Sequence, residues 1–575
     1  MAEPRPEAQT IAMQLRQRKS LGVLGLSLLV AVAAAACEGD EGAAGAPGAN
    51  GASGPVGGQG PAGPAGPGGP QGPGGGTSVD PSLAPAAKLI AAFGGEAALS
   101  GLRSLTVKAK GTRFIVGEGY EPEDEPAAVS SFEVDTSWDV QGGDVRLDYR
   151  RKLLFLGGDV TYSEFLRDDG GWREGVDSIF GTPSGPMPSD RWASGRRQQR
   201  LLHPELIARE LAADPSKVRD AGAGVLGGVL HHRLELTAAG APVTLWVEAA
   251  TGRLSKLETL ENEHVSGDVT LEVFYDDWRA VEGGPAQPRR VILALGGRVL
   301  HDEARSEIVA NPALPAGTFD VPGGASLGAV DAAVATVGEH NAQFHQQFAS
   351  FGIPLDGLQI AIAPVEISPG VWHVRGGTHN SLVVEQQAGV VVVEAPLYPA
   401  RSEALLSWIR GQLPTKPVTH VVATHFHDDH SGGLRSFVAA GAKVVAGEAA
   451  VGFYREAFRT PRSLAPDALS AAPRPAVIEP VAAGGTRVLA DALRPVTIST
   501  IDTSHAADMV VASVDGTTFV SDIYSPGNPP LGVTGLIELR ASVQAQGLVV
   551  TRYAGGHGQL GTPAELDQLI ADLTP

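Results

Sequence analysis

Cysteine is almost absent from this sequence. The chain of 575 residues has one cysteine, which excludes a disulfide framework, a cysteine-rich zinc finger and an iron–sulfur site. Basic residues are also scarce, because 44 Lys and Arg stand against 64 Asp and Glu and the formal net charge is −20. Nucleic-acid binding needs clustered Lys and Arg, so a nucleic-acid partner is not expected.

An apolar run long enough to span a membrane is lacking as well. The longest uncharged apolar stretch, residues 21–36, falls short of the roughly 20 residues that a spanning helix needs. Aromatic residues make up only 5% of the chain, but apolar residues reach 43%, so globular cores are expected. The length exceeds that of one compact core and predicts two or more domains.

The apolar stretch 21–36 has the parts of an export signal. Basic residues that include Lys19 precede it, and small residues end it directly before Cys37. This arrangement resembles a bacterial lipoprotein signal, although Ala34 stands where that motif usually has Leu. We therefore expect residues 1–36 to be a signal peptide and Cys37 to carry a lipid anchor in the cell envelope. The alternative is ordinary cleavage nearby, which would leave a soluble periplasmic or secreted protein.

A glycine repeat follows the signal. From Gly39 to Gly75 every third residue is glycine, and Pro or Ala fills most other places. Such a collagen-like run can wind as a triple helix, because only glycine fits at the crowded axis. The alternative is a stiff, solvated, disordered spacer. We expect residues 37–79 to be a linker, and the chain to be a trimer only if this segment winds.

Residues 80–325 read as a β-rich domain. Apolar residues at helical spacing over 85–93 predict a short opening helix. Period-two alternation then predicts antiparallel strands with one buried face, for example over 105–109, 132–140, 145–149, 243–247 and 269–275. This order is similar to the half-barrel of outer-membrane lipoprotein carriers, a resemblance of pattern and not of motif.

Two polar clusters of this domain are expected to be structural. Arg196, Arg197 and Arg200 lie in a loop-like stretch and are expected on a solvated surface. His231 and His232 are adjacent, so in a strand they point to opposite faces and cannot share a metal ion. Neither cluster indicates a reaction.

From residue 326 to residue 575 the pattern changes to short, continuous apolar runs separated by helical stretches. Strands buried on both faces and covered by helices predict a layered α/β sandwich, so the whole chain is an α+β multidomain protein. The pair Asp515-Gly516 predicts a tight hairpin. The predicted strands are 381–384, 390–393, 418–424, 443–446, 496–501, 510–514, 517–520 and 547–551, and the predicted helices are 399–410, 434–440 and 564–573.

The run His425-Phe426-His427-Asp428-Asp429-His430 follows one of these strands. So many polar groups cannot lie in an apolar core without partners. A tight loop with this spacing turns His425 and His427 to one point and Asp429 and His430 to a neighbouring point, which suits two cations side by side.

This run resembles the signature of the metallo-β-lactamase fold superfamily. The resemblance implies an αββα sandwich and three further ligands at strand ends, with Asp522 bridging two metal ions. It implies the first ion at His425, His427 and His505, and the second at Asp429, His430 and His557.

The identity of the implied ligands narrows the family. Asp522 stands where some β-lactamases have a thiolate ligand, and His427 stands where the flavin-linked diiron branch has Glu. Nitrogen and oxygen donors fit two Zn²⁺ ions best, although Mn²⁺ and Fe²⁺ accept the same donors.

Several residues near these ligands have two interpretations. Glu394 stands where the superfamily commonly has an Asp that orients a metal-bound histidine, and it either takes that part or only ends its strand. His379 and Asn380 either line the site or cap a strand. The stretch 452–485 reads as a lid or insertion whose arginines, among them Arg462, attract an anionic substrate.

The resemblance implies metal-assisted hydrolysis of a small-molecule ester, lactone, thioester or amide. Water held by two cations loses its proton near neutral pH, and Asp429 and Asp522 hold the resulting hydroxide in line. Tyr524 either stabilises the developing oxyanion or forms a wall of the pocket. The alternative function is a lipid- or lipoprotein-binding envelope protein whose metal domain is structural or sensory.

Overall fold

A computed structural model describes residues 79–154, 157–178, 183–238, 241–352 and 362–574. The predicted signal segment, Cys37 and the glycine repeat lie outside these residues. Among the described residues, no helix is both long and apolar enough to cross a membrane.

The first domain is built on one antiparallel sheet of 13 strands in the order β6-β5-β4-β3-β2-β1-β13-β12-β11-β10-β9-β8-β7. Its strands β1 to β13 are Ser104–Ile115, Ala127–Asp139, Val145–Leu153, Asp159–Arg167, Gly170–Gly175, Gly185–Pro186, Arg219–Leu226, Val229–Ala238, Ala241–Glu248, Leu254–Glu263, Gly267–Arg279, Gln287–Leu295 and Arg298–Ala310.

Helices pack against the buried face of this sheet. They are α1 Pro85–Ala92, α2 Glu96–Ser100, α3 Ser189–Leu202, α4 Pro204–Ala213 and a π-helix, Phe344–Phe351. A further helix, α5 Ala332–Gly338, packs against α3. The predicted alternation is confirmed, because Leu105 and Val107 of β1 are buried while their neighbour Lys108 is exposed. Phe344 and Phe348 of the π-helix belong to the same core, so the packed unit extends beyond residue 325.

Buried ion pairs lie between the helices and the sheet. Arg191 of α3 is 1% exposed, and its guanidinium lies 2.9 Å from Glu164 and 2.6 Å from Asp177. Arg197 of the same helix is buried and pairs with Glu261. The predicted loop is therefore wrong for Arg196, Arg197 and Arg200, which all lie in α3. The predicted solvated surface is wrong for Arg197, because the helix turns this side chain toward a buried carboxylate.

The inner face of this sheet thus combines apolar core residues with buried charges that are paired with one another. His231 has a structural role as predicted, because its two ring nitrogens lie 2.9 Å from Val229 O and 2.9 Å from Ser255 Oγ.

The second domain contains two sheets. One has seven strands in the order β14 to β20, and the other has six in the order β21 to β26. The strands of the first are Ala363–Ser368, Val371–Gly376, His379–Glu385, Val390–Val393, Val418–Val422, Lys443–Gly447 and Ile478–Val481. Those of the second are Thr486–Leu489, Val496–Thr500, Val510–Val514, Thr517–Val520, Arg552–Gly555 and Leu560–Gly561.

Helices cover the outer faces of the two sheets. They are α6 Pro399–Gln412, α7 Asp428–Ser431, α8 Leu434–Ala440, α9 Val451–Ala457, α10 Ala468–Ala471, α11 Thr534–Ala545 and α12 Pro563–Leu573. Adjacent valines of β17 face opposite layers, since Val392 packs in one cluster with Leu405 of α6 and Val391 packs in another with Phe519 of the second sheet. The predicted αββα sandwich is confirmed.

Two local predictions have different outcomes. Asp515 and Gly516 have φ of 48° and 76°, as a primed turn between β23 and β24 requires. The predicted strand 547–551 is wrong, because pairing with β24 begins only at Arg552, opposite Thr517, and Val549 is 79% exposed.

The stretch 452–485 contacts the first domain. Arg462 is buried and donates to Asn262 Oδ1 at 3.3 Å and to the His264 carbonyl. Ser463 N donates to Asp268 Oδ2 at 2.7 Å. Arg462 therefore fastens the β10–β11 hairpin to the second domain. The prediction that Arg462 attracts an anionic substrate is wrong, because its side chain is buried in this contact.

Arg191→Met is predicted to lower the free energy of unfolding by about 3–5 kcal/mol, because Glu164 and Asp177 lose their buried counter-charge. Denaturant unfolding followed by tryptophan fluorescence measures this. Arg150→Met is the control, since Arg150 pairs with Glu133 at 3.1 Å with both side chains more than half exposed, and about 1 kcal/mol or less is expected. Equal effects of the two variants would contradict the assignment of the buried cluster.

Candidate metal centre

All seven predicted ligands converge at one rim of the sandwich. Together with His379, which was not among the predicted ligands, they form two groups of four residues in which one ligand atom of each residue lies within 4.8 Å of the others. The first group is His425, His427, His505 and Asp522, and the second is His379, Asp429, His430 and His557.

The ends of strands place these residues. β18 ends at Val422, three residues before His425, and α7 carries Asp429 and His430. Gly432 and Gly433 come after this helix, where the backbone lies too close to other groups for a side chain to fit. A Cβ on Gly432 would lie 1.9 Å from Leu397 O, and one on Gly433 would lie 2.0 Å from Ser402 Oγ.

Two acidic residues of the site have left-handed backbone conformations. Asp522, just after β24, has φ of 41°, and Glu394, just after β17, has φ of 65°. The left-handed backbone conformation is about 1–2 kcal/mol less favourable than the ordinary one for a residue other than glycine. Such strain is concentrated at functional sites, where the surrounding structure imposes it.

The Asp522 carboxylate lies between the two groups. Its Oδ2 is 3.1 Å from His425 Nε2 and 2.9 Å from His505 Nε2. Its Oδ1 is 3.0 Å from His430 Nε2 and 2.9 Å from His557 Nε2. One carboxylate therefore contacts both groups, which is the arrangement of a bridging ligand.

The outer ring nitrogens are held by other residues, so the opposite nitrogens face the centre. This pattern is typical of metal-bound histidines. The outer contacts are His425 Nδ1 to Thr424 Oγ1 at 3.1 Å, His427 Nε2 to Gly119 O at 2.9 Å, His430 Nδ1 to Glu394 Oε2 at 3.1 Å and His557 Nδ1 to Thr378 O at 2.7 Å.

The inner atoms fit two divalent cations. His427 Nδ1, Asp429 Oδ1 and both Asp522 oxygens are buried and have no hydrogen-bond partner among the described residues. His425 Nε2 lies 3.2 Å from His505 Nε2, whereas ligands about 2.0–2.2 Å from a tetrahedral ion stand roughly 3.3–3.6 Å apart. Lone pairs that converge in this way need a cation between them.

Electrostatics favour the neutral, ligating form of two histidines and give the site a negative character. Burial lowers the pKa of His425 to about 4 and holds the pKa of His427 well below its usual value, so both rings are neutral. Burial opposes the charge of His430, but the carboxylates of Asp429 and Asp522, together with Glu394, raise its pKa well above the usual value. The centre therefore attracts positive charge.

Glu394 orients the metal-site histidine His430, which is the first of the two interpretations that its sequence position allowed. Besides contacting His430, its Oε1 accepts a hydrogen bond from Thr424 Oγ1 at 2.7 Å. The left-handed backbone at Glu394 accommodates a side chain one methylene longer than Asp.

His379 and Asn380 both belong to the site. His379 Nε2 lies 3.2 Å from Asp429 Oδ2, and its ring centre lies 4.2 Å from that of His557. Asn380 Nδ2 donates to Gly555 O at 2.9 Å and to Gly558 O at 3.0 Å. Asn380 thus fastens the loop that carries His557.

A cavity of about 200 Å³ opens beside the first group. Tyr524 is one of its walls and packs edge-on against Tyr553, with ring centres 5.4 Å apart. The Tyr524 hydroxyl lies beside Gly561, since a Cβ there would be 2.6 Å from it. The structure shows a wall residue, and oxyanion stabilisation stays a prediction. The apolar part of the lining includes Ile523, Pro529, Pro530, Leu531, Leu536 and Leu569.

Residues of the first domain also contribute to this site, which no pattern in the sequence indicated. Glu118 lies 3.4 Å from His427 Nδ1, and Gly119 accepts from the same ring. Gln343 Nε2 donates to Asp428 Oδ2 at 2.6 Å. These residues lie far from the histidine motif along the chain, so only the tertiary structure reveals them.

Comparison with known proteins identifies the type of domain. Residues 374–520 match the metallo-β-lactamase superfamily, and the C-terminal region has that fold. A linear primary-alkylsulfatase from a Pseudomonas species is 33% identical over 74 residues, which are 13% of this chain and 11% of that enzyme.

Solved structures similar to this chain include a metallo-β-lactamase from Pontibacter korlensis. It is 19% identical, with a TM-score of 0.29, and the match covers 37% of this chain and 99% of that one. The FIM-1 metallo-β-lactamase from Pseudomonas aeruginosa, solved in a mono-zinc form, is 18% identical with a TM-score of 0.29, over 38% and 96% of the two chains.

Glu394→Gln is predicted to weaken zinc binding at one of two sites by about 10–100-fold, because it removes the charge that orients His430. Competition with a chromophoric chelator measures both affinities. Glu385→Gln, which changes a surface carboxylate 2.7 Å from Lys416 Nζ, should bind zinc as the unaltered chain does. Unchanged binding in Glu394→Gln would contradict its role.

Proposed function

We propose that this chain is an exported dinuclear metal-dependent hydrolase acting on an ester, lactone, thioester or amide. One observation carries the proposal, namely the convergence of six ligand side chains on the two sides of Asp522, with the outer ring nitrogens of four of the five histidines already held. Export and a lipid anchor on Cys37 rest on the sequence pattern alone.

The donor set supports two divalent ions, and Zn²⁺ fits nitrogen and oxygen donors best. Such ions supply a nucleophilic hydroxide near neutral pH and polarise the scissile group. His425, His427 and His505 would hold the first ion and Asp429, His430 and His557 the second, with Asp522 contacting both.

Asp429 has a further part in this proposal. Its Oδ2 lies 3.2 Å from His379 Nε2 and 3.5 Å from His430 Nε2, while Oδ1 is buried without a hydrogen-bond partner among the described residues. Oδ1 is thus placed to accept a hydrogen bond from the attacking water and to orient it.

The cavity beside the first group supports a compact, partly apolar substrate. Its volume of about 200 Å³ is below the roughly 300–1,000 Å³ of sites for drug-sized ligands. Apart from His505 and Asp522, the lining residues are apolar or carry neutral polar groups, so the wall suits an uncharged acyl or alkyl group.

An alkyl sulfate is a second candidate substrate. The match to a linear primary-alkylsulfatase and the apolar wall favour it. In that case the ester attacked is a sulfate ester, and the alkyl group occupies the cavity.

The lipid-binding alternative has less support. A structural metal site closes its coordination with protein ligands, whereas a catalytic site keeps an open side. The cavity that reaches His505 and Asp522 provides such an open side.

The test combines metal analysis with turnover. The purified chain should contain about two equivalents of divalent metal, and chelation should remove metal and activity together. The panel comprises a short-chain ester, lactone, thioester, amide, β-lactam and alkyl sulfate. One equivalent or none after reconstitution with Zn²⁺ would refute the dinuclear site, and full occupancy without turnover of any substrate would favour the alternative function.

Asp429→Asn is predicted to lower kcat by about a hundredfold or more, because it removes an oriented charge that holds the attacking water. The fold should survive, since the loop lies at the rim of the layered core. Asp491→Asn is the control, as Asp491 caps a turn through Leu493 N and Arg494 N. Turnover by Asp429→Asn within a few-fold of the unaltered chain, with both metals bound, would show that another group orients the water.

A further inference from the structure

The loop between β1 and β2 of the first domain lies directly on the metal centre. Gly119 O accepts from His427 Nε2 at 2.9 Å, and Tyr120 O accepts from Ala507 N at 2.7 Å. Glu118 is 6% exposed, and its Oε1 lies 3.4 Å from Asp428 N. This segment, Glu118–Tyr120, is called the rim loop below.

The contact with Gly119 decides which nitrogen of His427 faces the centre. A carbonyl oxygen can only accept, so the hydrogen of this ring is on Nε2 and the lone pair is on Nδ1. His427 Nδ1 is buried and has no hydrogen-bond partner among the described residues, and Glu118 Oε2 lies 3.4 Å from it. A partner that fixes the tautomer and orientation of a ligating histidine is a recurrent part of metal sites.

The backbone contacts of the rim loop are with the first group of ligands, whereas a Glu118 carboxylate oxygen lies within 4.8 Å of carboxylate oxygens of Asp428 and Asp429. Tyr120 holds the backbone two residues after His505, which is also in the first group. The outer nitrogens of His430 and His557 are held by Glu394 and the Thr378 carbonyl, both in the second domain.

We propose that the first domain is a structural part of the first metal site, in which the rim loop positions His427 and the loop of His505. This inference rests on the proposed function, because it assumes that the first group binds a metal ion. It gives a role to a domain in which neither sequence nor comparison indicates a reaction. Gly119 and Glu118 are positioning residues and not ligands.

Gly119→Ala tests the inference in the full chain. A Cβ at Gly119 would lie 2.5 Å from Asp124 Cβ, so Gly119 or Asp124 must shift, and we expect the Gly119 carbonyl to move from His427. Glu118→Ala is a second variant, made in parallel because it removes the contacts of the carboxylate with His427 Nδ1 and Asp428 N without backbone strain. Each variant is titrated with Zn²⁺ against a chromophoric chelator, and the Co²⁺-substituted form is followed by its absorption spectrum.

Asp268→Asn is the matched control. Asp268 accepts hydrogen bonds from Ser463 and Leu464 in another contact between the same two domains. The substitution Asp268→Asn therefore weakens the contact between the two domains without changing a residue that contacts His427. Thermal unfolding of each metal-free variant shows whether the chain is folded.

The expected result is site-selective. At least one rim-loop variant should bind one ion as the unaltered chain does and the other about 10–100-fold more weakly, with a changed Co²⁺ spectrum. Asp268→Asn should match the unaltered chain. Normal binding of both ions by both rim-loop variants, or equal weakening by Asp268→Asn, would overturn the inference. Failure of the unaltered chain to bind two ions would instead refute the proposed function.

Discussion

The carboxylate of Asp522 is the group on which the site depends. It is buried between four imidazoles, 2.9 to 3.1 Å from a nitrogen of each, and a buried carboxylate is stable only with compensating charge. The ends of β18, β22, β24 and β25 must meet at one rim to produce this arrangement. The αββα core supplies that constraint, since it fixes the strands from which all the ligand loops depart.

A second layer of contacts fixes the orientation of the imidazole rings. Thr424, Glu394 and the Thr378 carbonyl hold three rings from within the sandwich, and Gly119 holds His427 from the preceding domain. The left-handed backbone at Glu394 and Asp522 shows that the core imposes this geometry against local preference. The orientation of the ligands therefore depends both on the fold of the sandwich and on its contact with the preceding domain.

The sequence predicted the features whose signal is local. Continuous apolar runs identified β17, β23 and β24, and the spacing of the histidine motif identified four ligands. The other three ligands, His505, Asp522 and His557, were identified from the order in which ligands follow one another in the superfamily. The sequence could not distinguish an exposed arginine from Arg197, which is buried beside Glu261. It also could not reveal Gly119, because a backbone carbonyl that contacts a residue about 300 positions away leaves no pattern in composition or periodicity.

The most direct test of this account is a crystal structure of the zinc-reconstituted chain with anomalous data at the zinc edge. Two anomalous peaks about 3.5–4 Å apart are expected, one among His425, His427 and His505 and the other among Asp429, His430 and His557, with Asp522 contacting both. A single peak, or two peaks of which neither contacts Asp522, would contradict it.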